Sequence, residues 1–237
     1  MAGAAGAPFV ASAFSVLAGA GTAGTAAAAG FSNEGTIQSG FRPLYNIVGM
    51  WIVQECRRDW IKQGKKLSWD EIVEHAKAAP AFRSIIDTDA PEFYAGGNME
   101  SKIQEFCRRT GQPVPETVGE VARCFYESLA LKYRYALEGL ERMKGQRIDS
   151  LNIVGGAINN RFLDQLVADA LDREVVTGPV EGAAIGNLLS QAMALGDIKD
   201  LDALRQVVRN SEAVETWKPN HTPEWDEAYA KLLTFLK

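Results

Sequence analysis

The sequence predicts an α/β fold, a mixed sheet flanked by helices and interrupted by a helical insertion. Three observations carry this expectation. Residues 151–195 read strand, glycine turn, helix, strand, glycine turn, helix, the order of an α/β unit whose strand ends face a ligand. Residues 33–145 show mostly helical periodicity, which makes them the insertion. Hydrophobic side chains at 46% and charged ones at 23% of 237 residues can build a sizeable core, and they exclude wholesale disorder or a collagen-like chain.

The first 30 residues stand apart, with thirteen Ala, six Gly and no charge before Glu34. They lack the basic start of a secretion signal, and glycines break every apolar run before the roughly 18 residues a membrane span needs. Residues 8–18 read as a remnant first strand leading into an Ala/Gly-rich head that ends at residue 30. Beyond it, Leu44, Ile47, Val48, Trp51, Ile52 and Cys56 recur at helical spacing, which predicts a helix through residues 45–54. Ser68 with Glu71 forms a capping-box pattern that opens a short helix to Ala78. Asn98 is placed to cap a helix to about Arg109, which Gly111, Pro113 and Pro115 stop. Thr117 with Glu120 opens a long helix with Val121, Cys124, Phe125, Leu129, Leu131 and Leu137 on its buried side.

Residues 151–154 then read as a buried strand entering the Gly155-Gly156 turn. Ile158, Phe162, Leu163, Leu166, Val167 and Leu171 follow at helical spacing. Residues 174–177 form a second β-branched run ended by Gly178-Pro179. A small-residue helix covers about 182–195, where Ala183, Ala184 and Gly186 suit close packing against a neighbour. Residues 216–223 read as a loop, and 225–236 as a terminal amphipathic helix.

Charge and composition remove several function classes. A formal net charge of −5 does not suit a protein that holds nucleic acid by neutralising phosphates. Three cysteines and two histidines show no zinc-ligand spacing and no disulfide scaffold, so no metal site is expected. A Rossmann dehydrogenase fails too, because Gly155-Gly156 is not GxGxxG and no acid ends Val175-Val176-Thr177. The candidate site is the turn from Gly155 to Asn160. Paired glycines let backbone approach a flat or anionic ligand, and the following helix offers free N–H groups with partial positive charge. The same residues equally suit a plain strand-to-helix turn with Asn160 as its cap. Asn46 and Gln54, eight apart on the predicted helix, would share one face, either as ligand amides or as surface amides.

Several segments become recognisable when taken in order. They are Phe31-Ser32-Asn33-Glu34-Gly35, Tyr45-Asn46-Ile47-Val48-Gly49-Met50-Trp51, Gln54-Glu55-Cys56-Arg57 and Phe82-Arg83-Ser84-Ile85-Ile86-Asp87. Gly111-Gln112-Pro113-Val114-Pro115-Glu116, Ser128-Leu129-Ala130-Leu131-Lys132-Tyr133, Ile153-Val154-Gly155-Gly156 and Gly178-Pro179-Val180-Glu181-Gly182 complete the series. Over residues 9–217 the chain resembles the C-terminal half of the FGGY carbohydrate kinases, and among them the kinases that act on L-rhamnulose. The resemblance implies an actin-like, ribonuclease H-like ATPase domain over residues 31–216, with a tail helix at 217–237. It also implies a cytoplasmic kinase that transfers phosphate from ATP, with Mg2+ bound alongside the nucleotide, to the 1-hydroxyl of L-rhamnulose. By the same resemblance Gly156 and Asn160 are nucleotide contacts, Gln54 an ATP contact and Asn46 a sugar contact. Cys107 and Cys124 match a pair that forms a disulfide in a family member, though a reducing cytoplasm favours free thiols equally.

Two departures from the family pattern bear on activity. The family's Ser-Gly-Thr-Trp-Ser phosphate turn stands here as Ala11-Ser12-Ala13-Phe14-Ser15. The aspartate base expected just before it has no counterpart, since the first Asp is Asp59, and the sugar-binding N-terminal domain is not represented. No catalytic residue is therefore assigned, although Asp87 and Asp149 are conceivable replacements. The chain alone is expected to be inactive and to need a separate N-terminal kinase domain. A catalytically dead nucleotide-binding or interaction module, or one chain of a split sugar kinase, is the alternative.

Overall fold

The structure is a computed structural model, and it describes residues 13–15, 30–36 and 40–236. Most of the Ala/Gly head, and the rest of the expected first strand, lie outside the described residues. The chain divides into two compact units, Met1–Ile148 with Pro223–Lys237, and Asp149–Thr222.

The first unit carries a three-stranded antiparallel sheet in the order β1-β3-β2, with β1 at Ala13–Ser15, β2 at Ser32–Gly35 and β3 at Phe41–Asn46. Leu44 pairs with both Ser15 and Ser32, so β3 has a partner on each edge. This corrects the helix expected over residues 45–54. Helix α1 begins only at Trp51 and runs Trp51–Lys62. The apolar spacing fits a helix from either side of residue 50, but pairing with Phe14 and Ala13 of β1 claims Tyr45 and Asn46, and a short link carries the chain to Trp51. Pro43 fits the strand because it lies one residue beyond the described pairing with β1.

Helices make up the rest of this unit. In α2 (Trp69–Ala78) both halves of the Ser68–Glu71 capping box form. Helix α3 spans Met99–Arg109, but Asn98 adopts a left-handed backbone and gives no side-chain cap. The cap comes from another helix, as Asp59 Oδ2 accepts from the N–H of Met99 at 2.8 Å. Helix α4, Val118–Lys144, opens with the Thr117–Glu120 capping box and stops at Gly145, whose φ is +65°. It is the spine of the core, burying Val121, Phe125, Leu129, Leu131 and Leu137. The terminal helix expected from the pattern is α8, Pro223–Leu233, and it docks back onto this spine. Trp225 meets Phe82 edge to face at 4.8 Å, and the Tyr229 hydroxyl donates to Glu138 at 2.7 Å.

The second unit is the strand–turn–helix pair. Strands β4 (Ser150–Ile153) and β5 (Glu174–Thr177) are parallel, as a helical crossover requires, and α5 (Arg161–Leu171) connects them. A third strand, β6 at Glu215–Trp217, pairs antiparallel with β5 and makes the sheet mixed. It replaces the start of the loop expected over 216–223. Three residues are too few to show a period, and β6 is held by β5 and by the Trp217 indole donating to Thr177 Oγ1 at 3.1 Å. Helix α6 spans Gly182–Leu195 as expected, yet none of its residues is buried. Among the described residues Ala183, Ala184 and Gly186 therefore lack the close packing expected of them, and a Cβ at Gly186 would meet nothing within 4 Å. Gly182 alone makes a close approach, its would-be Cβ lying 3.0 Å from that of Val154. Helix α7, Leu201–Ser211, was not expected; Asp200 caps it through the N–H of Ala203 at 2.9 Å.

Candidate functional site

Both glycine turns lie at the C-terminal ends of the parallel strands, where an α/β sheet receives ligands. The Gly155 N–H donates to the Pro179 carbonyl at 3.1 Å and the Gly178 N–H to that of Ile153 at 2.9 Å, so the turns are pinned side by side. Gly155 has a φ of +93°, a conformation that a side chain would strain. Gly156 starts a single 3₁₀ turn, and a Cβ built there meets nothing within 4 Å. Gly156 is exposed, and among the described residues no atom approaches that position within 4 Å.

Asn160 is the N-cap of α5, the place that the plain strand-to-helix reading gave it. Its Oδ1 accepts from the N–H of Leu163 at 3.1 Å. The 3₁₀ turn absorbs the residues that periodicity had given to the helix. Capping uses only the side-chain oxygen; the side-chain nitrogen has no hydrogen-bond partner among the described residues and is left as a donor. The turn thus presents open glycine backbone, an amide donor and the positive end of a helix, a set suited to a nucleotide.

Sequence reasoning missed Asp164, one turn into α5. It is 1% exposed, its Oδ2 is buried without a hydrogen-bond partner, and burial, aided by the Glu215 carboxylate, raises its pKa to about 7. An acid between Leu163 and Leu166 on the apolar face was the available signal. Because the folded state holds this proton more tightly than the unfolded chain, stability should fall as pH rises from about 4 to about 7, with the full cost present above that. Asp164→Asn removes the effect. Its melting temperature should exceed wild type by about 4 °C or more at pH 8 and by little at pH 4, as read by scanning calorimetry.

Asn46 and Gln54 do not share a helical face. Asn46 ends β3 and is exposed, whereas Gln54 lies in the first turn of α1, half-buried. Neither side-chain amide has a hydrogen-bond partner among the described residues, so both remain free for a ligand. Both belong to the first unit, and Gly156 and Asn160 to the second. Asp87 is not a spare base, because Lys132 Nζ holds its Oδ1 at 2.8 Å. Asp149 is exposed next to β4. Cys107 and Cys124 are reduced and buried, with their thiols hydrogen-bonded to each other. That bond lowers the Cys107 pKa and, with burial, raises that of Cys124. Cys56 sits apart on α1, its thiol pushed up by burial. No group of three potential metal ligands and no helix able to cross a membrane occurs among the described residues.

A family model, the C-terminal domain of the FGGY family of carbohydrate kinases, matches residues 11–195. The chain belongs to this family. It is 41% identical over 199 residues to a rhamnulokinase of Bacteroides thetaiotaomicron, covering 84% of this chain and 40% of that protein. A rhamnulokinase of Enterococcus faecalis is 42% identical over 192 residues, which are 80% of this chain and 38% of that protein. The chain therefore spans about 40% of the length of these relatives. Among solved structures, xylulose kinase from Rhodospirillum rubrum matches with a TM-score of 0.61 at 18% identity, over 87% of this chain and 41% of that one. Plasmodium falciparum glycerol kinase with ADP matches with a TM-score of 0.52 at 14% identity, over 81% and 39%. The structural likeness establishes the fold, the α/β actin-like ATPase class expected from the sequence, and the sequence likeness makes this a rhamnulokinase-like C-terminal domain.

Proposed function

We propose that this chain is the nucleotide-binding half of a cytoplasmic kinase that phosphorylates L-rhamnulose at its 1-hydroxyl with ATP. The observation that carries the reading is the open turn at Gly156, where a ligand can lie against backbone. The Gly155–Gly156 backbone receives the nucleotide, Asn160 donates its side-chain N–H on the adenine side, and Gln54 supplies a further amide to ATP. Asn46, exposed at the end of β3, serves the sugar. Mg2+ bound on the phosphates would neutralise charge during transfer. The remainder of the relatives' length corresponds to an N-terminal domain, which would complete the sugar site and supply the base. Titration calorimetry with ATP and ADP on the chain, alongside Gly156→Val, tests the nucleotide assignment.

The thiol pair belongs to the same reading. Cys107 and Cys124 should form one disulfide under mild oxidant, leaving Cys56 as the single free thiol by mass spectrometry. In the chain-entropy model a loop of this size adds roughly 3 kcal/mol, so the oxidised form should melt higher until reductant is added. An oxidised sample that retains three free thiols would sink the pairing.

A further inference from the structure

The first unit buries a charged group that none of these ligand contacts uses. Lys132, on α4 and 2% exposed, places its Nζ 2.8 Å from Asp87 Oδ1 and 3.0 Å from Asp89 Oδ2. The two acids are joined to each other as well, since the Asp89 N–H donates to Asp87 Oδ1 at 3.1 Å. Tyr135 lies over the ammonium, with its ring centroid 5.3 Å from Nζ, and meets Tyr45 edge to face at 6.1 Å. A buried ammonium is costly unless it is paired, and this one is paired twice.

The cluster is connected to the link between β3 and α1. Asp89 turns its other oxygen, Oδ1, to the backbone N–H of Val48 at 2.8 Å. Among the described residues no other hydrogen bond ties residues 47–49 to the body of the unit. That link has Asn46 immediately before it and Gln54 on the first turn after it, both with free amides. A carboxylate held from one side by Lys132 gives the link a fixed anchor, where a lone surface acid would let it move.

We propose that Lys132 and Asp89 are positioning residues. The ammonium orients the Asp89 carboxylate, the carboxylate holds the Val48 N–H, and the anchored link sets where Asn46 and Gln54 stand. The inference rests on the reading that Gln54 contacts the nucleotide, and its test separates the two.

Hydrogen exchange over residues 47–54 and ATP titration calorimetry are run on the full chain with Asp89→Ala, Asp89→Asn, Gln54→Ala and the Asp89→Ala/Gln54→Ala double variant. Loss of one charged hydrogen bond should speed exchange at Val48 about tenfold and weaken ATP about fivefold in Asp89→Ala. The double variant should bind no more weakly than Gln54→Ala alone, because both changes remove the same contact. Asp89→Asn can keep its one oxygen on Val48 only by turning its NH2 toward the Lys132 ammonium, donor against donor, so it should fall between wild type and Asp89→Ala. A general loss of stability would instead weaken the double variant further and speed exchange throughout the chain. If Asp89→Ala does not fold, Asp89→Ser, too short to reach Val48, is read in its place. Wild-type exchange at Val48 in these variants overturns the proposal, and so does unchanged ATP affinity in Asp89→Ala when Gln54→Ala weakens it. If Gln54→Ala leaves ATP affinity intact, the nucleotide assignment of Gln54 fails; faster exchange confined to the link then still supports the anchor, and unchanged exchange overturns it.

Discussion

Given L-rhamnulose and MgATP, the purified 237-residue polypeptide is expected to release ADP no faster than it does without the sugar. The attacking hydroxyl must lose its proton as the phosphoryl group transfers, and residues 1–33, where the family pattern places the base, hold no ionisable side chain. Asp87 cannot stand in, because it is committed to the buried Lys132. A general base contributes roughly 10²–10⁴-fold. Holding the sugar in a closed cleft contributes more, since positioning can be worth about 7–11 kcal/mol. The two losses compound, because a base acts only on a hydroxyl that is already correctly held. A coupled ADP-release assay decides the matter. Sugar-dependent turnover by the chain alone in the range of about 1–100 s⁻¹ typical of kinases would overturn the expectation. Turnover that appears only on adding a rhamnulokinase N-terminal domain would place the deficit where the proposal puts it.

Gly156→Val should remove nucleotide binding while leaving the fold intact. Its backbone is not left-handed and its Cβ would enter open space, so the folded chain accommodates the side chain at little cost. The same side chain would occupy the place where a nucleotide must lie against the turn. ATP affinity should fall by about 100-fold or more, equivalent to roughly 2.7 kcal/mol. Melting temperature should move by no more than about 3 °C. Gly155 provides the contrast. Its φ of +93° makes even Gly155→Ala strained, so stability should fall by about 1–2 kcal/mol with binding lost as a consequence. Equal ATP affinity in wild type and Gly156→Val, measured by calorimetry, would remove this turn from the site.

What could be read from the sequence was whatever is encoded locally. Both capping boxes, Ser68 with Glu71 and Thr117 with Glu120, formed at the expected residues because cap and helix lie within one turn of each other. The β5 strand and the α6 helix fell on their expected spans because glycine and proline punctuate them. Failures came where distant chain decides. Tyr45 and Asn46 were drawn into a sheet by pairing with β1, some thirty residues earlier in the chain, and Met99 is capped by Asp59 from another helix. The depth of Lys132 and Asp164 could not be read from their neighbours in sequence, since it depends on what packs over them. At the candidate site the paired glycines were legible by themselves. Asn160 was legible as a cap, but the 3₁₀ turn before it was not, because a 3₁₀ turn and an α-helix share nearly the same apolar spacing.

The docking of α8 has a consequence for the order in which the molecule assembles. Glu138 and Tyr229 are 91 residues apart, and the whole second unit lies between the two parts of the first. On the ribosome, α4 therefore emerges with Arg134, Glu138 and the Phe82 ring still waiting for their partners on α8. Those partners are made only after the intervening unit. Closing so long an excursion is entropically cheap, about 0.6 kcal/mol for each doubling of length, but it is slow compared with pairing neighbours. Until it closes, the first unit shows an apolar seam fitted to Trp225, Tyr229 and Leu232, so a chain cut short after the second unit would be the form that chaperones hold and proteases find.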